Sequence, residues 1–425
     1  MIFFFYPEMS LRDWANGVLS WYDLTVNGQN FVDGVEVIGL LNFVYYNPTK
    51  VYFGTGVNSQ VGEVVGGEFK KVLLLYGSGS AKSSGVYDDV VKSLRASGVD
   101  FRECAGVKPN PVLSKIEEAI SIIRRDGLEA IVAIGGGSVI DSAKGISAGA
   151  CYDGDVWDFY KRTAKIARVM PFFAVATLSA TASEMNCTSV VTNESLGVKT
   201  GLTDNALFPR VTFLDPSVQF SVPAKQIADG GIDAICHVME TYFDGTSGVD
   251  VQMEYAEGLV RSLMTLIPDA IRNPRDYDVR AQLAWASANA LNGTTWAGHA
   301  GKGDFASHAM GHTLSAKYDT VHGESLAIMM PAWMEYVCAG NEHAFARFAR
   351  RVLGVTSPVD GKASREGIAG MRKFFESLGA PARLRDIGVP AADLPELADS
   401  TAFAPIGVLR KLGRDDILAI YRAAF

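Results

Sequence analysis

The stretch AIVAIGGGSVIDSAKG, residues 130–145, decides the fold. A run of apolar residues reads as a buried strand. It enters Gly135-Gly136-Gly137-Ser138 and passes straight into a helix. Free backbone N–H groups and the positive end of that helix make a place for an anion, glycines let a pyrophosphate approach the main chain, and Ser138 adds a hydroxyl donor. The same four residues would also serve as a tight turn with no ligand, so the loop alone does not separate a binding site from a connection.

Working outward, the pattern repeats. VLLLYGSGS from Val72, a helical VYDDVVKSLRASG, IEEAISIIRRDG and the strand-like FFAVATLSA alternate short apolar runs with amphipathic stretches. That alternation predicts an α/β half with a mainly parallel sheet covered by helices on both faces. After VTFLDP at residues 211–216 the strand signals nearly vanish, and AKQIADGGIDAICHVMETYF, AEGLVRSLMTLIPDAI and VRAQLAWASANAL follow. These predict an all-helical second half. Pro216 can close the last strand, and Ser221-Val222-Pro223 can open a helix. The expected division is therefore 42–217 for the α/β domain and 218–425 for the helical one. Residues 1–41, mixed in polarity and without a clear period, stand ahead of NFVYYNPTKVYFG as an extension of unknown role.

Composition narrows the function classes. With 39 Lys and Arg against 47 Asp and Glu, a net charge of −8 and no basic run, a nucleic-acid surface is not expected. Cys104, Cys151, Cys187, Cys236 and Cys338 are odd in number and scattered, which fits a reducing cytoplasm better than a disulfide framework. MIFFFYPEMS lacks the basic leader and cleavage site of a signal peptide, and no run of about 18 apolar residues predicts a membrane span. A small-molecule enzyme is the expectation.

Two further loops bear on a nucleotide. Gly77-Ser78-Gly79-Ser80-Ala81-Lys82 follows the first strong strand but lacks the GxGxxG spacing. It offers small residues and Lys82, with no acidic side chain for a ribose 2′-hydroxyl. That favours the 2′-phosphate of NADP, with NAD possible. Thr177-Leu178-Ser179-Ala180-Thr181-Ala182-Ser183-Glu184 is a hydroxyl-rich turn after FFAVA and could hold phosphates or a ribose.

Three of the six histidines gather in DFASHAMGHTLSAKYDTVHG, residues 304–323. His308 and His312 are four apart and share a helix face; His322 follows just before Gly323, where the chain can turn back. Upstream, Asp233 and His237 repeat the i, i+4 spacing in GGIDAICHVME. Two helices that each direct two such groups to one point build a divalent metal site, and imidazole with carboxylate suits Fe(II) or Zn(II). Spacing alone allows either His308 or His312 as the ligand from that helix, with the other left as a proton relay. The zinc-hydrolase reading of HAMGH fails because Ala309 stands where a glutamate base is needed.

Taken together, NFVYYNPTKVYFG, LLYGSGSAKSSGVYDDV, GVKPNP, IVAIGGGSVIDSAK, TLSATASEMN, GGIDAICHVMETYF and the histidine segment resemble the iron-containing (group III) alcohol dehydrogenases, in their butanol dehydrogenase-like, NADPH-dependent branch. The resemblance runs from about Asn42 to the C-terminus. It implies a metal bound by Asp233, His237, His308 and His322, with His312 catalytic beside the nicotinamide. It implies cofactor contacts at Gly77, Ser78, Ser80, Gly136, Gly137, Ser138, Asp141, Thr177, Leu178, Ser183 and Lys199, and a substrate contact at Asn186. It further implies hydride transfer between NAD(P)H and a small aldehyde or primary alcohol, and a homodimer or higher homo-oligomer. His299 and His343 match no motif position.

Two departures from the family pattern stand out. Phe305 replaces a frequent Trp, which would reshape the substrate pocket, and Ala182 replaces a Gly, which would add only a methyl. The alternatives are a dehydroquinate synthase-like enzyme, which needs more basic residues than Lys302 and Lys317, and a glycerol dehydrogenase-like enzyme, which uses fewer metal ligands.

Overall fold

The computed structural model describes residues 30–32, 35–37, 41–402 and 404–425. Most of the segment read as an extension therefore lies outside the described residues. Within it, β1 (Asn30–Val32) and β2 (Val35–Val37) pair antiparallel.

The sheet follows from residues that are buried on both faces. It comprises β3 (Lys50–Phe53), β4 (Lys71–Gly77), β5 (Asp100–Val107), β6 (Ala130–Gly135), β7 (Phe172–Ala176) and, after a hairpin of β8 (Thr188–Asn193) and β9 (Val198–Thr203), β10 (Val211–Leu214). The order is β3-β10-β7-β6-β4-β5, and every pair is parallel. Val72 to Tyr76, Ala130 to Ile134 and Phe172 to Ala176 are all buried, as a sheet sandwiched by helices requires. The covering helices are α1 (Val61–Gly66), α2 (Ser80–Ser83), α3 (Val86–Ala96), α4 (Leu113–Asp126), α5 (Gly137–Gly149) and α6 (Trp157–Tyr160). α3 turns Val86, Val90 and Leu94 inward, and α4 turns Ile116, Ile120 and Ile123. That is the one-face pattern that their spacing predicts.

Two local expectations change. The strand-like NFVYYNPTKVYFG forms a strand only over Lys50–Phe53, since Pro48 has no N–H for a ladder. Asn47 instead ties this segment across the molecule, with Nδ2 donating to the carbonyls of Met185 (2.9 Å) and Asn292 (3.1 Å). The antiparallel β8–β9 hairpin is an element that the parallel-sheet reading did not include. Its turn is set by Asn193, whose Oδ1 accepts from the backbone of Ser195 and Leu196, and by Gly197 at φ 63°.

After β10 the chain is helical: α7 (Ala224–Tyr242), α8 (Asp250–Arg272), α9 (Tyr277–Asn289), α10 (Ala306–Tyr318), α11 (His322–Val337), α12 (Glu342–Leu353), α13 (Asp360–Ser377), α14 (Leu394–Thr401) and α15 (Arg414–Ala424). α7 is buried from Ile227 to Tyr242, so it forms the axis of this half. Phe243 beyond its end stacks on Phe345 at 4.3 Å between centroids. Among the described residues no helix is long and apolar enough to cross a membrane.

Two glycines let α7 reach its neighbours backbone to backbone. A Cβ on Gly230 would stand 2.6 Å from the carbonyl oxygen of Ser179 in the loop after β7, and one on Gly323 would stand 2.2 Å from that of Asp229. The sequence placed a reversal at Gly323. The chain in fact reverses earlier, at Asp319 with φ 52°, and Gly323 lies inside the first turn of α11, where only its missing side chain lets α11 rest on α7. Gly323→Ala is therefore expected to cost about 1–3 kcal/mol through overpacking, read as a lower thermal midpoint. An unchanged midpoint would contradict this helix contact.

Candidate metal centre and nucleotide cleft

α7 carries Asp233 and His237 one turn apart, α10 carries His308 and His312, and His322 opens α11. Measured to Asp233 Oδ1, His237 Nδ1 lies at 3.6 Å, His308 Nε2 at 3.7 Å and His322 Nε2 at 3.6 Å. Donors about 2.1 Å from a tetrahedral ion stand about 3.4 Å apart, so these separations suit one divalent cation. Asp233, His237 and His308 form a compact set of possible ligand atoms, all buried and all mutually close, whereas His322 comes near Asp233 without lying equally close to the other two. The chemistry of the set agrees: Asp233 Oδ1, His237 Nδ1 and His308 Nε2 are buried and have no hydrogen-bond partner in the protein. Polar atoms so placed call for a cation.

The protonation pattern is that of a site prepared for positive charge. Burial raises Asp233, yet the neighbouring His237 and His308 hold it below its ordinary value. Burial pulls His237 down to about 4 and holds His312 and His322 well below the usual range, with Lys199 adding to the effect on the last two. Burial opposes the charged form of His308, but the facing carboxylates of Asp233 and of Glu240, the latter hydrogen-bonded to Nδ1, raise it to about 9. A metal must displace that proton.

Glu240, which the sequence reading passed over, orients His308. It is fully buried on α7, two turns from Asp233, and its Oε1 accepts from His308 Nδ1 at 3.0 Å, from His308 N at 3.2 Å and from the Ser307 hydroxyl. With Nδ1 occupied, Nε2 is left as the lone-pair donor facing Asp233. The signal was available: Asp233, His237 and Glu240 fall on one face of α7 at spacings of four and three. Asp304 supports the same turn, accepting from the backbone N–H groups of Ala306, Val408 and Leu409, and so binds the C-terminal segment to the start of α10. Phe305 sits at φ 54° and sets its ring edge-on to His308 at 5.3 Å.

His312 lies 5.2 Å from His322 between ring centroids, within the cluster. Lys199 on β9 donates to Asn110 Oδ1 at 2.7 Å, and burial lowers it to about 8. His299 is buried against Asp244 at 3.0 Å, and His343 is exposed beside Asp360, both apart from the cluster.

The glycine loops sit at the C-terminal ends of neighbouring strands, where α/β sheets bind ligands. Gly77 closes β4, with Ser78 and Ser80 exposed beyond it; Gly136 precedes α5, which opens with Gly137 and Ser138; Thr177 and Leu178 follow β7. Three residues named for binding are instead engaged inside the protein. Ser183 Oγ donates to Asp141 Oδ1 (2.5 Å), Asp141 Oδ2 accepts from Val190 N (2.9 Å), and Lys144 Nζ donates to Ser183 Oγ (2.7 Å), Asn186 Oδ1 (2.8 Å) and Thr188 O (2.8 Å). Asn186 also donates to Thr181 O and accepts from Thr188 N. Asp141, Ser183 and Asn186 therefore brace α5 against the loop and β8. Lys144, lowered by burial to about 8 beside Asp141, is the buried hub that the sequence did not flag. Ala182 adds more than a methyl, because it sits at φ 52°, where an L side chain is disfavoured.

Comparison with known proteins agrees with this architecture. Residues 48–216 match the description "Iron-containing alcohol dehydrogenase", and residues 227–425 match "Fe-containing alcohol dehydrogenase family, C-terminal". The chain is 38% identical over 391 residues to NADH-dependent butanol dehydrogenase A of Clostridium acetobutylicum, covering 91% of this chain and 100% of that one. It is 33% identical to the NADPH-dependent aldehyde reductase YqhD of Escherichia coli, covering 90% and 99%. The crystal structure of NADH-dependent butanol dehydrogenase A from Thermotoga maritima superposes with a TM-score of 0.88 at 42% identity, covering 91% and 99%.

Glu240→Ala is expected to weaken divalent-metal binding by roughly 10–100-fold, measured by competition with a chromogenic chelator; unaltered affinity would remove Glu240 from the site. Ala182→Gly should raise unfolding stability by about 0.5–1 kcal/mol by relieving the left-handed backbone, seen as a higher denaturant midpoint. A fall would contradict the strain.

Proposed function

Since the chain belongs to the iron-containing alcohol dehydrogenase family, we propose that it transfers a hydride between a nicotinamide dinucleotide and a small aldehyde or primary alcohol at a divalent metal held by Asp233, His237, His308 and His322. It is an oxidoreductase of the alcohol dehydrogenase and aldehyde reductase type. The observation that carries the site is the convergence of these donor atoms on Asp233 Oδ1, on the helix that rests against the loop after β7.

A divalent cation there, Fe(II) or Zn(II), supplies Lewis acidity to the substrate oxygen, and the nicotinamide supplies or accepts the hydride. The protein's own residues do the rest. Glu240 keeps His308 in one tautomer, and Asp233 contributes the single negative charge. His312 is kept neutral by burial and by Lys199, so a ring nitrogen can accept the alcohol proton and return it to the oxygen in the reverse direction. Gly77, Ser78 and Ser80 form the adenosine end, Gly136, Gly137 and Ser138 receive the pyrophosphate at the start of α5, and Thr177, Leu178 and Lys199 line the path toward the metal. Five free thiols support a reducing, cytoplasmic setting. The exposed run Phe43 to Tyr46 beside the edge strand β3 supports a homo-oligomer.

The dehydroquinate synthase-like reading loses one of its cations, because Lys317 is engaged by Asp393 at 3.3 Å and Glu396 at 2.7 Å. The decisive experiment follows NADH and NADPH absorbance over an aldehyde panel, with Fe(II), Zn(II) or chelator present. Turnover should require metal. His322→Ala should lose both bound metal and activity, whereas His312→Ala should keep the metal and lose roughly 10²–10⁴-fold in kcat. Full turnover by metal-free His322→Ala protein would refute the assignment.

A further inference from the structure

The Gly77–Ser80 loop has a neighbour that its own sequence does not show. β5 lies beside β4 with Glu103 opposite Leu74, and Tyr76 is two residues farther on, on the same face. Glu103 accepts hydrogen bonds at both oxygens, Oε2 from the Tyr76 hydroxyl and Oε1 from the Tyr87 hydroxyl at 2.8 Å. Its carboxyl is held below the ordinary value, mainly by the Tyr76 bond, and so is ionised at neutral pH. Lys82, in the short helix that leaves the loop, is drawn into the same cluster. Its Nζ is 3.9 Å from Glu103 Oε2 and lies over both rings, 4.6 Å from the Tyr87 centroid and 5.1 Å from that of Tyr76.

We propose that Glu103 and Lys82 together set the choice of nucleotide, with Glu103 biasing the enzyme towards NADH. The inference rests on the reading of the Gly77–Ser80 loop as the adenosine end. The sequence expectation of NADP took Lys82 as a free cation with no acid nearby, and the structure gives it a carboxylate partner from the adjacent strand. A 2′-phosphate adds close to two negative charges; it must either draw Lys82 away from Glu103 or be bound beside a fixed anion. An unmodified ribose meets neither cost, and its 2′-hydroxyl is a donor that a carboxylate can accept. The two phenols matter because they fix Glu103 in place. A mobile glutamate could swing away from an incoming phosphate, whereas one bonded at both oxygens does so only by giving up both phenol hydrogen bonds, that of Tyr76 in a part-buried position.

The test measures dissociation constants of NADH and NADPH by nicotinamide fluorescence on the full chain, for the unaltered protein, Glu103→Gln and Lys82→Met. The unaltered protein should bind NADH more tightly. Glu103→Gln should shift the NADPH-to-NADH affinity ratio by roughly tenfold towards NADPH, and Lys82→Met should shift it the other way. A packing role for Glu103 would weaken both nucleotides alike and leave the ratio fixed, so a ratio within about twofold of the original in both variants overturns the proposal. If the unaltered protein bound neither nucleotide, the functional reading would fall and this inference with it; if it bound both with an unmoved ratio, only this inference would fall. Lys82 is exposed, so Lys82→Met keeps the question answerable even if Glu103→Gln folds poorly.

Discussion

Everything in the helical half is arranged around one buried oxygen. Asp233 Oδ1 lies in the interior with three imidazole nitrogens at 3.6–3.7 Å and no hydrogen-bond donor of its own. A carboxylate in such a place is costly unless positive charge answers it, and Asp233 together with Glu240 shifts the imidazole of His308 towards its charged form. Side chains from three helices must therefore meet within a few ångströms, which sets a close approach between those helices. Small residues solve the problem: Gly323 brings the first turn of α11 onto the backbone of α7, while Glu240 reaches across to fix the ring from α10. The tight packing at these points serves the charge at the centre.

The α/β half answers a different constraint. Its loops must present backbone N–H groups to an anion while the strands behind them stay dry. The polar network of Asp141, Lys144, Ser183 and Asn186 holds the loop after β7 against α5, each group finding partners inside the protein. A second chain of contacts leads to the helical half. Ser179 donates to Gln219 Oε1, and the buried Arg280 of α9 donates to the Gln219 carbonyl and side chain. The loop that would carry nicotinamide is thus clamped from both sides.

What the sequence disclosed was local and periodic. The strand, glycine turn and helix of residues 130–149 were legible because buried strands, glycine runs and helical spacing each leave a signature. The i, i+4 pairs Asp233/His237 and His308/His312 were legible for the same reason. Gly323 was misread, because a glycine needed for helix contact looks identical to one needed for a turn. Glu240 was visible in the spacing of α7 but carried no weight without its partner on α10. Glu103 could not be found from its own neighbourhood, since its relation to Lys82 exists only through the pairing of β4 with β5. Long-range juxtaposition of charges is the kind of information that periodicity does not hold.

The contact of Gly230 with the Ser179 carbonyl has a mechanical meaning. With no side chain between helix and loop, the separation of the Ser179 loop from Asp233, one helical turn along from Gly230, is set by two backbones in contact and not by adaptable side chains. The gap that a hydride would have to cross is thus written into the main chain, and any larger residue at position 230 would widen it.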